Sequence, residues 1–560
     1  MNSRRRVMDR VDPPVTGAGA ACVALLVLGA ALRLWQFGVG ASQWLDELAL
    51  SRAIVGLSFS ALWGGHLPFL QVAPKGFLLL QKAAVSLWGT SDYVLRLLPL
   101  VSSLAALLLF YVLARRIFVR SAAIVFALTL FALQPELIRY ASQVKPYSTD
   151  LAVALALTLL TCSLAEGDSA PGPIRGVFVG LAGAVAVTFS HAAALVLAGL
   201  SAALALSVVL SGRRRGFAGL AAIIGLWVSS SGAAAFIAAR HTTAQGRDYL
   251  LAYWRASFGP TRHNIANDTA WLIKALVQEV AALRYPWPVF YLALAFLGAV
   301  SLWRRSRSLS LALFLPVVAA LFAAELHVYP FSHRLVLFGV PAFVLAIAAG
   351  VEALTSLVRR NPDNRFASIR IDASIFLAAL LPAILTLQAS LPPYLNEEMK
   401  PILRDMAARR LPGDSIYVFY GAGQAVSFYG ARYGFRPQDY VLGGCHQEDT
   451  RAYLREIDGF RGLPRVWVLI SHDWRGERLA LLDYLDHLGT RTLAIRAPAH
   501  GPHALVSEAY LYDLSAARPS PGVDSMTFPI PRAAPNWLDS RFPCRGAENP
   551  VPEIPLEPPG

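Results

Sequence analysis

The chain has 560 residues, 55% of them hydrophobic and 15% charged, with a mean hydropathy of +0.48. That is too apolar for a soluble domain of ordinary composition and points to a polytopic membrane protein. A net charge of +14 would suggest nucleic acid in a soluble chain. Here the basic residues gather at the ends of apolar runs, where they act as topology signals, and no nucleic-acid partner is expected.

A helix that crosses the hydrocarbon core needs roughly 20 apolar residues. On that criterion spans are expected near 17–38, 94–114, 120–135, 149–165, 174–190, 191–211, 216–238, 287–303, 308–326, 335–354 and 371–391, about eleven in all. Several are short, and 174–211 also reads as one broken helix. The first span follows Arg4-Arg5-Arg6 and lacks a small-residue cleavage exit after Leu25–Leu34, so it is expected to stay as an anchor. The basic groups Arg4-Arg5-Arg6, Arg115-Arg116 with Arg120, Arg175, Arg213-Arg214-Arg215, Arg304-Arg305 with Arg307, and Arg359-Arg360 fall at alternate turns. Placing them all in the cytoplasm puts the N-terminus inside and segments 39–93, 136–148, 239–286, 327–334 and everything after about 392 outside a plasma membrane.

The first outer segment, 39–93, is too long for a simple turn. Residues 47–63 and 75–88 read as helices lying at the interface, as membrane anchors or as walls of a cavity. Segment 239–286 mixes Tyr249, Tyr253, Trp254 and Phe258 with Arg and His, and reads as a surface loop with interfacial aromatics or as a lid over an acceptor. Residues 1–391 thus form the expected membrane domain. Beyond them Pro, Gly and charge become frequent. Apolar runs at 416–420, 465–470 and 492–495 read as buried strands, with helices at 449–458 and 477–488 between them. That alternation predicts a small α/β domain over 392–560 outside the membrane, ending in a Pro-rich tail from about 515.

Cys22 and Cys162 lie in apolar runs and read as packing residues, while Cys445 and Cys544 lie in the polar part and are free to pair if it is outside the cytoplasm. His446, His472, His487, His500 and His503 lack the close spacing of a zinc motif and read as surface histidines.

Three outer segments carry ionisable residues beside spans: Asp46-Glu47, the stretch Arg139–Asp150 with Gln143, Lys145 and Tyr147, and His327–Arg334 with Tyr329. Two carboxylates at a membrane surface are costly unless solvated, paired or used chemically. Taken singly, the bland readings are solvated loop acids and snorkelling cations. Taken together on one face, the cations can hold a phosphate and a carboxylate can take a proton from an attacking hydroxyl. His191, at the end of the fifth span, and Arg240-His241 are further candidates, the latter pair for an acceptor loop.

The stretches "WLDELALSRAI", "GFLLLQKAAVSLWGTSDYVLRLLPLVSSLAALLLFYVLARRI", "YASQVKPYSTD" and "YPFSHRLVLFGVPAFVLAIAAG" resemble the GT-C glycosyltransferases of the protein O-mannosyltransferase and aminoarabinose-transferase type, over about 1–390. The resemblance implies a polytopic α-helical fold and an inverting transfer of sugar from a polyprenyl-phosphate donor to a cell-envelope acceptor (lipid, polysaccharide or protein). It implies Asp46 as the general base, with Glu47 orienting it or binding the acceptor. Lys145 and Arg334, with Tyr147, Tyr329 and His191 nearby, are implied to hold the lipid phosphate. Basic side chains can stabilise such a leaving group without a metal. Where relatives often carry a second-loop acid, this chain has Gln143, with Asp150 and Glu136 as substitutes. No obligatory metal or other cofactor is therefore expected, and a divalent cation stays open. The rival readings are a lipid-linked-sugar transporter, a polysaccharide ligase or polymerase, and an envelope assembly factor on a degenerate GT-C scaffold. Ionisable residues concentrated at one face, no visible inverted repeat, and an early acidic motif weigh against the first two.

Overall fold

The structure, a computed structural model, describes residues 16–166, 171–211, 217–283, 287–358, 374–375, 377–381, 384–385, 391–446, 449–473, 476–501, 504–516 and 523. Helix α1 (Thr16–Gly38) is followed by the shorter α2 (Leu45–Gly56), α3 (Phe59–Gly64) and α4 (Lys75–Trp88), and then by the long α5 (Asp92–Ile117). Next come α6 (Ser121–Ala132), α7 (Pro135–Tyr140), α8 (Tyr147–Glu166), α9 (Pro173–Phe189), α10 (Ala192–Ser211) and α11 (Phe217–Arg240). Two further helices, α12 (Ala244–Tyr253) and α13 (Ile265–Ala282), occupy the segment that the sequence shows only as a long loop. The helical part continues through α14 (Pro288–Arg305), α15 (Arg307–Glu325), a 3-10 turn over His333–Gly339 and α16 (Val340–Val358).

Ten of the eleven expected spans fall on these helices; the eleventh, 371–391, lies largely outside the described residues, as do Arg4–Arg6, Arg213–Arg215 and Arg359-Arg360. Among the described residues, seven helical stretches are long and apolar enough to cross a membrane: Ala18–Gly38, Asp92–Ile117, Tyr147–Ala165, Ala192–Leu210, Phe217–Arg240, Arg307–Glu325 and His333–Leu357. The 174–211 run is two helices, not one. Ser190 is extended at the break, and its hydroxyl accepts from the Ala193 N–H at 3.0 Å, which starts α10. Apolar side chains such as Val27, Leu108, Phe178, Phe296 and Phe322 are exposed on these helices, as a hydrocarbon surround allows. The chain is a multi-pass helical membrane protein.

Helix contacts use small residues. A Cβ added to Gly298 on α14 would lie 1.8 Å from the Ala346 carbonyl, and one on Gly350 of α16 would lie 2.0 Å from the Leu294 carbonyl. The two backbones therefore touch, the arrangement that packs helices where lipid supplies no hydrophobic drive.

The C-terminal part contains α17 (Met399–Arg409), β1 (Ser415–Val418), α18 (Gly423–Tyr429), β2 (Val441–Leu442), α19 (Thr450–Asp458), β3 (Val466–Ile470), α20 (Glu477–Leu488), β4 (Thr490–Arg496) and β5 (Glu508–Asp513). The sheet order is β2-β1-β3-β5-β4; β2, β1 and β3 run parallel and β5 is antiparallel to both neighbours. Strand periodicity sends alternate side chains to two cores. Tyr417, Val466, Val468 and Tyr512 meet Tyr453, Leu454 and Leu481 from α19 and α20. Ile416, Val418, Trp467 and Leu469 share the second core with Met399, Ile402 and Leu403 of α17 and with Leu48, Ile54, Phe77 and Leu78 of α2 and α4. Each large side chain buried there contributes roughly 1.5–3 kcal/mol, so this core holds the sheet unit against the acidic segment. Cys22 and Cys162 are buried in α1 and α8, and Cys445 is disulfide-bonded; Cys544 lies outside the described residues.

Candidate active site

The acidic pair opens α2. Trp44 is its N-cap and offers no side-chain cap, so the first turn presents backbone N–H groups beside Asp46 and Glu47, and the helix dipole favours negative charge there. Adjacent residues on a helix point about 100° apart, and these two carboxylates have different partners. Glu47 faces Arg96 on α5, with Nε and Nη2 each donating at 3.1 Å, while the Val144 N–H donates to Glu47 Oε1 at 2.8 Å. Both side chains of this ion pair are almost wholly buried, 3% and 2% exposed. Arg96 also donates to the carbonyls of Ala41 at 2.7 Å and Ser42 at 3.2 Å, which fixes the turn before α2.

Asp46 faces the other way. Its Oδ2 is 3.2 Å from Arg334 Nη2, at the start of the 3-10 turn before α16. The Arg334 guanidinium lies 5.8 Å from the Trp44 ring centre and 5.5 Å from that of Trp254, within cation–π range of both. Its Nε is buried and has no hydrogen-bond partner among the described residues. Tyr140, Tyr147 and Tyr253 are its electrostatic neighbours. Tyr140 and Tyr147 meet edge to face at 5.0 Å, and burial pushes the Tyr140 phenol up. The 239–286 segment therefore reaches this centre through Trp254 and Tyr253.

The remaining candidates are distributed around it. Lys145 Nζ donates to Gln71 Oε1 at 2.8 Å. Gln71, His191 and His241 help line a cleft, together with Lys75 and Trp63. Lys75 was not foreseen; its Nζ donates to the carbonyls of Leu62 and Gly65, and burial lowers its pKa. The basic residue four positions after Gln71 was the available signal. Arg240 stacks on Phe236 of its own helix and is not part of the cleft lining. Tyr329 donates to the Leu335 carbonyl at 2.9 Å and neighbours Tyr147 and Asp150. Of the substitutes for the second-loop acid, Glu136 pairs with Arg139 at 3.8 Å and Asp150 is buried against Ser190. Among the described residues, His263, Asp268 and Glu325 form one group whose ligand atoms lie close enough for a metal, with His263 Nδ1 3.4 Å from Asp268 and 3.0 Å from Glu325.

The C-terminal unit grips the turn that leads into α2. Glu398 accepts from the Ser42 N–H with both oxygens, at 3.1 and 2.9 Å, and Glu397 Oε2 accepts from the Leu45 N–H at 3.0 Å. Glu397 thus supplies the cap that Trp44 cannot. Burial pushes the Glu398 carboxyl up, and the Ser42 hydrogen bonds pull it back part of the way. Tyr429 accepts from the Gln43 N–H at 2.9 Å and donates to Asp92 at 3.0 Å, and Lys400 Nζ reaches Asp92 at 2.7 Å and the Gly40 carbonyl at 2.6 Å. His472, read above as a surface histidine, is buried: its Nδ1 lies 2.6 Å from Glu397 Oε1. Both residues adopt left-handed backbone conformations, Glu397 at φ 55° and His472 at φ 57°, which cost non-glycine residues energy unless their surroundings hold them. The reading failed because a histidine's spacing carries no record of a partner 75 residues away.

Fold and site together define a multi-pass membrane protein whose mixed α/β unit clasps a buried carboxylate–guanidinium centre. No protein-family model and no curated protein matches the chain. Among solved structures it is similar to ArnT from Cupriavidus metallidurans bound to undecaprenyl phosphate, with 14% identity and a TM-score of 0.46 over 86% of this chain and 97% of that one. The apo state of the same protein gives 14% identity and a TM-score of 0.45 over 87% and 98%.

Proposed function

We propose that this chain is an inverting GT-C-type glycosyltransferase, moving a sugar from a polyprenyl-phosphate donor to a cell-envelope acceptor on the outer face of a bacterial plasma membrane. In this reading the N-terminus is cytoplasmic and the C-terminal unit is outside. The observation that carries the proposal is the Asp46–Arg334 pair, a carboxylate and a guanidinium 3.2 Å apart, framed by two indoles, with one guanidinium N–H unpartnered among the described residues.

An arginine presents five donors in a planar fork suited to a phosphate. With no donor bound, Arg334 is shared with Asp46. A donor phosphate that engages Nε and the Nη groups takes up positive charge that otherwise stabilises the Asp46 carboxylate, so the carboxylate becomes more basic as the donor binds. Asp46 then accepts the proton of the acceptor hydroxyl. The hydroxyl oxygen attacks the anomeric carbon, and the bond from that carbon to the phosphate oxygen breaks on the opposite face. Polyprenyl phosphate leaves with its charge held by Arg334, and the anomeric configuration inverts. The cleft beside Lys75, His191 and His241 is the proposed path of the lipid, with Lys145 at its inner edge through Gln71. No step in this scheme requires a metal.

The test is transfer from a panel of radiolabelled polyprenyl-phosphate sugars by the full chain in lipid nanodiscs. Asp46→Asn is expected to lower turnover by roughly 10²–10⁴, the usual contribution of a general base. Arg334→Ala is expected to weaken donor binding. Full transfer by Asp46→Asn would sink the proposal.

A further inference from the structure

His263, Asp268 and Glu325 take no part in the scheme above. His263 lies in the turn before α13, Asp268 in the first turn of that helix and Glu325 at the last residue of α15. The fold brings one donor atom from each to a single point. His263 Nδ1 is 3.0 Å from Glu325 Oε1 and 3.4 Å from Asp268 Oδ1, and the three ligand atoms all lie within 4.8 Å of one another. Both sides of the group are held in place. The Asn264 side chain accepts from the Asn267 N–H at 2.8 Å, which starts the turn that carries Asp268. Glu325 Oε2 is buried against the Gly259 backbone, where a Cβ would collide with it, so Oε1 alone is left to face His263.

The charges of this group do not balance. The chain has 50 Lys and Arg against 36 Asp and Glu. Yet among the described residues no Lys or Arg lies within 4.0 Å of either carboxylate. The helix dipole gives Asp268 a reason to be acidic, but no reason to meet two other donors. An imidazole nitrogen with carboxylate oxygens is a donor set for zinc and manganese. With metal–ligand bonds of about 2.0–2.2 Å, donors around one ion sit roughly 2.8–3.6 Å apart in octahedral or tetrahedral geometry. The separations of 3.0 and 3.4 Å fall in that range. An ion needs no cavity of its own. The His263, Asp268 and Glu325 side chains are 56%, 40% and 24% exposed, so it reaches them from solvent and water fills its open positions.

We propose that His263, Asp268 and Glu325 bind one divalent d-block cation of the Zn²⁺ or Mn²⁺ class, each through one atom, and that the ion pins the 254–268 segment to the end of α15. The backbone already starts this junction. The Gly259 N–H donates to the Ala324 carbonyl at 3.1 Å, the Phe331 N–H donates to the Ser257 carbonyl at 3.0 Å, and the Phe258 and His327 rings stack at 5.3 Å. Both joined segments lead to the reaction centre: Trp254 precedes the site on one, and Arg334 follows it on the other. The ion thus holds the Trp254 indole over the guanidinium and makes or breaks no bond in the transfer. Its binding is independent of the transferase reading.

The test uses the tag-free full chain in phosphatidylcholine nanodiscs, stripped with a chelator and dialysed against Zn²⁺, Mn²⁺, Ca²⁺ or Mg²⁺ in turn, with bound metal counted by mass spectrometry. One Zn²⁺ or Mn²⁺ per chain is expected. His263→Ala and Glu325→Gln are each expected to weaken it at least tenfold. His487→Ala, which removes an exposed histidine beside Asp483, is expected to leave it unchanged. Ca²⁺ and Mg²⁺ prefer oxygen ligands throughout, and are expected to bind at least tenfold more weakly than Zn²⁺. Hydrogen exchange of the 254–268 amides is expected to slow when the ion is added to the parent, and not in His263→Ala. Glu325→Gln keeps the shape of the side chain and carries the test if His263→Ala fails to fold. Absence of stoichiometric binding, or binding that survives both variants, overturns the site. A preference for Ca²⁺ or Mg²⁺ overturns it too, and exchange unchanged by bound ion overturns the pinning. A stripped chain that binds no ion but is destabilised by His263→Ala holds an imidazolium between two carboxylates instead. If Asp46→Asn transfers normally while metal binding still depends on His263, the transferase reading fails and the metal site stands.

Discussion

Replacing Arg96 with methionine keeps an unbranched apolar stem and removes the charged head. The structure shows what is left behind. Glu47 keeps one partner, the Val144 N–H at 2.8 Å, and loses two guanidinium bonds of 3.1 Å. The carbonyls of Ala41 and Ser42 lose donors at 2.7 and 3.2 Å. Breaking a buried ion pair from one side costs about 3–5 kcal/mol, because the surviving charge has nowhere to be solvated. Glu47→Gln keeps the shape, but it leaves the buried Arg96 charge uncompensated and turns an amide N–H toward one of the donors that the carboxylate accepted from, so it too is expected to cost about 3–5 kcal/mol. The double variant is expected to cost less than the two singles added together, by about 1–3 kcal/mol. Reversible unfolding of the full chain in mixed micelles against rising SDS measures all three. A cost below about 1 kcal/mol for Arg96→Met, the range of exposed pairs, would refute the reasoning. Glu47→Gln that abolishes transfer with stability unchanged would instead return Glu47 to the chemistry.

Glu279 gives a pH prediction. Burial pushes its carboxyl up to about 7, and the hydrogen bond from the His333 N–H, 2.7 Å long, opposes that rise. A carboxyl raised on folding stabilises the fold fully below its ordinary value near 4.5, and that contribution is lost as pH rises through about 7. The parent is expected to lose about 3 kcal/mol over this window and Glu279→Gln to lose little, and identical pH–stability curves would contradict it. Glu397→Gln weakens both the cap on Leu45 and the bond to His472. It is expected to lower kcat roughly tenfold by loosening the position of Asp46, with KM for donor and acceptor unchanged and His472→Gln behaving alike; a KM change without a kcat change would oppose a positioning role.

The helices were legible because each span is a long apolar run bounded by arginines, a signal carried by local composition. Asp46 and Arg334 were legible as two charges at span ends on one predicted face, and the structure has them 3.2 Å apart. What failed was partner choice. Arg96 lies unremarked inside one of the stretches that carry the resemblance, yet it takes the Glu47 carboxylate. Glu397-Glu398 repeats the adjacent-acid pattern of Asp46-Glu47 just after the last expected span, and it passed unremarked because its targets are backbone N–H groups, which have no sequence signature. The strand β5, Glu508–Asp513, is buried but begins and ends on an acid and lies close to the Pro-rich tail, and α17 has charges on its outer face that mask its buried Ile402, Leu403 and Met406. Gln143 stood out as a departure from a family pattern. Only the structure shows that its side-chain carbonyl has no partner among the described residues.

The clasp on the turn before α2 also sets an order of events in the life of the chain. Leu45 is 352 residues from the Glu397 that caps it, and Gln43 is 386 residues from Tyr429. At about 5–20 residues per second, ribosomal synthesis takes roughly 20–70 s to deliver those partners. Until then the acidic turn lacks its holder, although every membrane helix before it has been made. A chain stopped before Glu397 would thus sit in the membrane with its carboxylates unplaced, and competence would arrive only once Glu397, Glu398 and Tyr429 have been made.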